Sequence, residues 1–419
     1  MVSESVREKR GTPRLRFLIV LGALSTFGPL SLDMYLPALP QMARHLHASQ
    51  LMGQLTLSSC LAGLALGQLV AGPISDAVGR RRPIFFGVTA FTVFSLACAL
   101  APSAPVLIVV RFFQGLGGAA GLVVARAVVR DTYSGTRAAR VFASLMLVSG
   151  LAPIIAPVFG SQLLRVTSWR GIFLALVVIG VLLIITATQV PETLPPAARH
   201  TGGIRETGRV YRRLVTDRVF MGYALATGFG AAAMFTYISA SSFVLQGRYG
   251  ITAQQFSAVF ASNALGIMAA SQASARLVSR WGPRRLYAGG LVATVTGGVA
   301  LVCAVLGHVG LWGVLPALFV VIASQGLVAP NGVALAMMPY GQAAGSASAH
   351  FGVQQFLIGA AISPLAGLAS GSALVMASIM VATAVLGLLI FVLFTRGSAP
   401  CVDTDDLLAE RRSPSVIAG

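Results

Sequence analysis

Two charged side chains lie inside apolar runs and could handle a proton there. Asp33 sits in a run that begins near Phe17, and Arg111 in one that ends near Val129. An intramembrane charge costs about 2.5–3.5 kcal/mol on insertion scales and is retained where it is paired or functional. Asp33 lies 17 residues beyond Arg16, about 25 Å along a helix, and Arg111 lies 19 residues before Arg130, about 28 Å by the same rise. The two therefore reach similar depths and could face each other. Burial favours a neutral acid, whereas a nearby guanidinium favours an ionised one, so a movement or ligand that alters the balance takes up or releases a proton. A backbone cap near Pro37, or a place in a wet vestibule, is the alternative role for Asp33.

A second constellation, Gly72-Pro-Ile-Ser-Asp76-Ala-Val-Gly79-Arg80-Arg81-Arg82, lies between two apolar stretches. It combines a close-packing glycine, an acid at a helix end, a reversing glycine and three arginines. Such a turn suits a tight hairpin on one side of a membrane, with charges that form or break ion pairs. Ser279-Arg280-Trp281-Gly282-Pro283-Arg284-Arg285 repeats it later in the chain, with Ser279 in place of the acid. A third run, Gly150-Leu-Ala-Pro153-Ile-Ile-Ala156-Pro157-Val-Phe-Gly160, carries two prolines inside an apolar segment. Each removes a backbone hydrogen bond and favours a bend.

The elements that hold these residues follow from composition. Of 419 residues, 56% are hydrophobic and 10% charged, and the mean hydropathy is +0.82. A soluble chain carries about 25% charged residues. Runs of about 20 apolar residues are long enough to span a bilayer as helices. Twelve such segments can be marked, the first six at 17–36, 51–74, 83–100, 106–129, 139–164 and 172–190. The second six lie at 219–244, 256–277, 286–306, 311–337, 344–368 and 373–394. The fold class expected is an all-α membrane protein of twelve transmembrane helices in two six-helix, pseudo-symmetric halves. The divisions are a cytoplasmic N-terminus (1–16), an N-terminal half (17–192), a linker (193–217), a C-terminal half (218–395) and a cytoplasmic tail (396–419).

The net charge of +18 follows topology rather than nucleic-acid binding. Threaded from a cytoplasmic N-terminus, all but six of the 30 basic residues fall on the cytoplasmic side. Arg44, Arg165, Arg170 and Arg248 fall outside, and Arg111 and Arg126 lie within a span. Of the twelve acids none falls on an external loop. The first span lacks a signal-peptide cleavage pattern. Cys60, Cys98, Cys303 and Cys401 have no paired spacing, and His45 and His47 face apart on a helix, so no disulfide framework, metal site or cofactor is expected. Gly115, Gly117 and Gly121 lie inside a spanning helix rather than a strand-to-helix turn, which favours close packing over dinucleotide binding. No clustered catalytic groups suggest an enzyme.

Gly72, Asp76, Gly79, Arg80 and Arg81 resemble the loop between helices 2 and 3 of the major facilitator superfamily. Arg111-Phe-Phe-Gln114-Gly115-Leu-Gly117-Gly118 resembles its helix-4 motif, whose arginine takes part in proton transfer. Gly150, Pro153, Pro157 and Gly160 resemble the helix-5 motif of its antiporters, with Ala156 in the first glycine position. Asp33-Met-Tyr-Leu-Pro-Ala-Leu-Pro40, Ala125-Arg126-Ala-Val-Val-Arg130-Asp131, Phe235-Thr-Tyr237, Pro330-Asn331, Gly345-Ser-Ala-Ser-Ala349 and Pro191-Glu192-Thr193 resemble the Bcr/CflA drug-resistance subfamily of proton-coupled antiporters.

The resemblance covers roughly residues 14–395. It implies a monomer, multi-pass in a bacterial cytoplasmic membrane, with both termini cytoplasmic. Its function would be export of small amphipathic drugs, of chloramphenicol, bicyclomycin or sulfonamide type, by alternating access and in exchange for protons. Asp33 and Arg111 would then serve coupling. Helices 1, 4, 7 and 10 would line the cavity, through Thr26, Leu30, Tyr35, Gln114, Gly118, Arg126, Met234, Phe235, Tyr237, Gln325 and Asn331. Ser25 and Thr26 stand where some multidrug relatives carry a second acid, which argues against a two-site proton mechanism. A dedicated exporter of one metabolite, or a non-transporting receptor of the same fold, are the competing readings.

Overall fold

The computed structural model describes residues 15–133, 135–188, 190–196, 199, 212–368 and 371–396. The expected N-terminal segment, most of the 193–217 linker and nearly all of the tail lie outside them. Helices dominate, and the described residues contain no strand. Among the described residues, nine helices are long and apolar enough to cross a membrane, ten with a bent first span. One of the nine, Ala253–Leu306, has 54 residues and breaks at Gly282, where φ is 71°. A continuous helix of that length would measure about 80 Å, far more than the ~30 Å of bilayer hydrocarbon, so it holds two spans. With Ala344–Ile362 added, the count reaches the twelve expected.

In chain order, spans 2 to 6 are Gln50–Val78, Arg81–Leu100, Ala104–Thr132, Gly135–Leu163 and Trp169–Ala187. Span 7 is Arg218–Phe243, spans 8 and 9 flank Gly282, and span 10 is Leu311–Ala323 continued by Gln325–Met337. Span 11 is Ala344–Ile362 and span 12 is Ala373–Phe394. Span 1 departs most from expectation. It is broken into Leu15–Ser25, Phe27–Asp33 and Leu39–His45, and its two arms bend by 52°. Asp33 therefore ends a short helix beside the break. Span 5 stays helical through Pro153 and Pro157.

Small residues let the backbones approach. A Cβ on Gly63 would lie 2.0 Å from the Phe112 carbonyl oxygen, and one on Gly115 2.2 Å from that of Cys60. Spans 2 and 4 thus touch backbone to backbone, a common packing in lipid, where no water is released to drive association. Gly72 behaves differently from expectation. Its nearest neighbour for an added Cβ is Val123 at 3.9 Å, so span 2 packs closely through Gly63 and Gly67 instead.

The hydrogen bonds joining the halves among the described residues lie toward the arginine-poor face. Ser58 and Ser363 hydroxyls meet at 3.0 Å, Ser242 donates to the Leu36 carbonyl at 2.7 Å, and Gln246 to that of Pro37 at 3.1 Å. Gln254 donates to Ser161 O at 3.0 Å and Ser257 to Pro157 O at 2.8 Å. Gly160 packs on Met34 of span 1, while the far side of span 5 meets span 8, where Gly150 faces Met268.

Candidate functional site

Three neighbouring arginines follow span 2, and the backbone gives them different fates. Gly79 takes φ 96°, a conformation L side chains rarely adopt, and a Cβ there would lie 2.4 Å from Glu192 Oε2. The reversal tucks Arg80 beneath span 2, buried, while Arg81 and Arg82 remain exposed. The Arg80 guanidinium donates to Asp76, to Ser75 Oγ at 2.8 Å, and to Asp131 through Nε at 2.7 Å and Nη2 at 3.4 Å. The backbone amides of Arg80 and Arg81 donate to Glu192 at 2.8 and 3.3 Å. Arg81 Nη2 reaches Thr188 O at 2.9 Å, and Thr193 Oγ1 donates to Asp131 at 3.2 Å. One guanidinium and its carboxylates thus tie the ends of spans 2, 3, 4 and 6.

Asp131 and Glu192 belong to this cluster as fully as Asp76, and the motif reading assigned neither a role. Their signal was available: an acid at the end of span 4 and another closing span 6, on the face of the arginine turn. Burial alone would lower the Arg80 guanidinium, but hydrogen bonds and charges from Asp131 and Asp76 outweigh it and push it up. For Glu192, burial pulls upward, yet the amides of Arg80, Leu194 and Arg81 and the Arg199 charge hold it below the usual carboxylate range. Its contribution to the cluster is therefore complete above the ordinary value of 4.5 and is lost as pH falls through the lowered one. Protection of the 79–82 amides against hydrogen exchange, measured relative to the intrinsic rate at each pH, is expected to hold at neutral pH and to fall only as pH drops below 4.5.

Asp76 is 55% exposed at its side chain and Asp131 only 18%. An exposed pair is worth about 0–1 kcal/mol, whereas a sheltered hydrogen bond to a charge is worth about 1.5–3. Asp131→Asn should therefore lower the melting temperature of the purified protein more than Asp76→Asn, measured side by side. Equal shifts would mean that Asp76 holds the turn after all.

At depth, Arg111 is fully buried. Nη1 donates to the Ser31 carbonyl at 2.9 Å and to Gln114 Oε1 at 2.6 Å, and Nε reaches Thr56 O at 3.4 Å. Tyr35 and Phe173 offer ring faces 5.3 and 5.7 Å from its guanidinium carbon. Gln114 continues the chain of bonds to Ser95 Oγ at 2.7 Å. Arg111 Nη2 has no hydrogen-bond partner among the described residues. The expected Asp33–Arg111 pair is not formed. Arg111 holds instead the carbonyl of Ser31, two residues before Asp33.

Asp33 is buried and makes no hydrogen bond or ion pair among the described residues. It lies close enough to Tyr237 of span 7 to act on it electrostatically. Tyr237 in turn accepts a hydrogen bond from Asn263 Nδ2 at 2.8 Å and stacks on Phe260.

The cavity set separates into two groups. Arg126 is exposed, and Leu30 and Met234 are half-buried. The others are drawn into the walls of the halves. Tyr35 packs on Phe173, Gln114 bonds within its half, and Gly118 faces Phe91 and Leu64. Phe235 packs on Phe356 and Gly359 of span 11, and Thr26 donates to Ala23 O at 2.7 Å. Asn331 donates to Ser274 Oγ at 2.7 Å, while Gln325 lies against Gly230 of span 7. Helix periodicity assigns a face but not which neighbour covers it, and in a bundle inner helices are covered on most sides.

Residues 21–364 match the profile of the Major Facilitator Superfamily. The uncharacterized MFS-type transporter YdgK of Bacillus subtilis is 38% identical, over 91% of this chain and 96% of its own. The bicyclomycin resistance protein homolog of Haemophilus influenzae is 29% identical, over 83% and 88%. Multidrug resistance protein MdtL of Escherichia coli is 29% identical, over 81% and 85%. A crystal structure of a D-xylose-proton symporter superposes with a TM-score of 0.72 at 15% identity, covering 90% of this chain and 97% of that one. The nucleoside transporter NupG gives 0.72 at 12%, covering 90% and 98%. Sequence, helical architecture and relatives together make the chain a membrane transporter rather than an enzyme, a member of the major facilitator superfamily in its Bcr/CflA subfamily.

Proposed function

We propose that the chain exports small amphipathic drugs across a bacterial cytoplasmic membrane in exchange for protons, with Asp33 as the coupling carboxylate. The observation that carries this reading is the position of Asp33. It is a buried acid in span 1, it has no ion pair among the described residues, and it lies close enough to Tyr237 of the opposite half to act on it electrostatically. When the halves part there, its surroundings change from apolar to wet, which is the condition for taking up or losing a proton.

With the arginine-rich face in the cytoplasm, the hydrogen-bonded seam between the halves lies toward the outer side. A drug enters between the halves and meets the exposed Arg126 and the flexible, polarizable Met234. The unpaired Nη2 of Arg111 lies near the backbone that carries Asp33, and in the outward-facing state it is available to the ionised acid. Names of the relatives support drugs as the cargo. Transport in proteoliposomes with an imposed pH gradient, run against chloramphenicol-like, sulfonamide-like and cationic compounds, tests the reading. Gradient-driven flux of several unrelated compounds is the expected result. Flux of one compound alone would identify a metabolite exporter, and binding without flux a receptor.

A further inference from the structure

The closed, arginine-poor face holds a cavity that the transport reading does not use. It measures about 870 Å³ and is lined from both halves, by Arg44, His47 and Gln50 on one side and Phe243, Arg248 and Ser372 on the other. Below it, the bonds of Ser242 to Leu36 and of Gln246 to Pro37 form a floor that separates it from the interior.

Two arginines line this space from opposite halves, beside the apolar Pro40, Ala43 and Phe243 and near the ends of the Leu39–His45 and Arg218–Phe243 helices. Arg44 and Arg248 are exposed and make no hydrogen bond or ion pair among the described residues. Two helices begin at its rim. Ser49 caps span 2 by accepting from Met52 N, and Ser372 caps span 12 by accepting from Val375 N. One capping hydroxyl per helix leaves earlier amides of each first turn without an intrahelical acceptor, at the positive end of the helix dipole. Between the two caps, the buried Nε2 of Gln50 has no hydrogen-bond partner among the described residues. Among the described residues, no acid lines this space.

The geometry points to a binding site for an oxyanion of the phosphate or phosphodiester class, held between Arg44 and Arg248 and bridging the halves. Paired arginines and helix N-termini are the groups that recognise such an anion. Because Arg44 belongs to one half and Arg248 to the other, the bound anion joins them and favours the state in which this face is closed. The anion has two sources, the headgroup of an anionic lipid or free phosphate. The site stands apart from the cargo and from Asp33, so its failure would leave the transport reading untouched.

The test uses the full chain with Val166→Cys and Trp312→Cys spin-labelled, in a Cys303→Ser, Cys401→Ser background. Val166 and Trp312 are 84% and 85% exposed, one in each half. Inter-label distances are measured in lipid-free detergent with added inorganic phosphate, and in nanodiscs of phosphatidylcholine with or without phosphatidylglycerol. Phosphorus NMR reports binding in parallel. Binding of phosphate, of phosphatidylglycerol or of both, with the distances shifting to the closed population, is the expected result; a response confined to phosphatidylglycerol identifies the lipid as the source. Arg44→Gln with Arg248→Gln should weaken binding about tenfold or more, since each lost contact is a charge-assisted hydrogen bond. Arg165→Gln, on the same face and bonded to Gln162, should change nothing. No binding of either probe, undiminished binding by the double variant, or an equal loss in Arg165→Gln would each overturn the assignment.

Discussion

Asp33→Asn is expected to abolish uphill export while leaving the protein folded and in the membrane. Asparagine matches the shape of the acid, and Asp33 has no hydrogen bond or ion pair to lose, so folding should survive. What disappears is the exchangeable proton. One elementary charge crossing 100 mV is worth about 2.3 kcal/mol, so losing one coupled proton should cut the largest attainable drug gradient by about 50-fold. Downhill exchange of labelled for unlabelled drug should continue, because the halves still rock. The pair of assays separates a coupling defect from a broken transporter. Full resistance in cells carrying the variant, at wild-type abundance, would remove Asp33 from the mechanism.

Arg111→Ala should have the next largest effect, with a different signature. The side chain is buried without exposure and donates to three acceptors, Ser31 O, Gln114 Oε1 and Thr56 O. Hydrogen bonds to a charged group are worth about 1.5–3 kcal/mol each, and truncation also leaves a cavity beneath Tyr35 and Phe173. The variant should therefore lose thermal stability as well as drug-induced proton release. Arg111→Lys separates the two losses. Lysine keeps the charge and can reach a carbonyl, but not in a fork, so it should recover stability more than coupling. Normal proton release from Arg111→Ala would exclude a coupling role.

Much of the fold was legible because bilayer thickness sets the length of an apolar run, and charge bias sets the side on which its ends fall. Twelve segments and the arginine turn follow from those two rules. The site was less legible, and for a reason visible at three residues. Arg80, Arg81 and Arg82 are identical in sequence, yet only the reversal at Gly79 decides that Arg80 is buried. Asp131 and Glu192 sit 55 and 116 residues from Asp76 in the chain, so no local pattern brings them together. Gln114 shares a helix face with the cavity in projection, but span 3 covers it. Depth estimates likewise assumed a straight span 1. They put Asp33 and Arg111 near the same level, but span 1 is bent by 52° and the two side chains form no pair.

The same break bears on how the nascent chain enters the bilayer. A short, interrupted first segment with an acid at its middle is a poor guest for lipid by itself, since freed backbone groups there find no water. The groups that satisfy it arrive later from the ribosome: the Arg111 donor to Ser31 comes with span 4, and the backbone contact of Gly160 with Met34 comes with span 5. Truncated translation products that stop before Arg111 should slip out of the translocon's lateral gate, whereas those that extend past Gly160 should stay embedded.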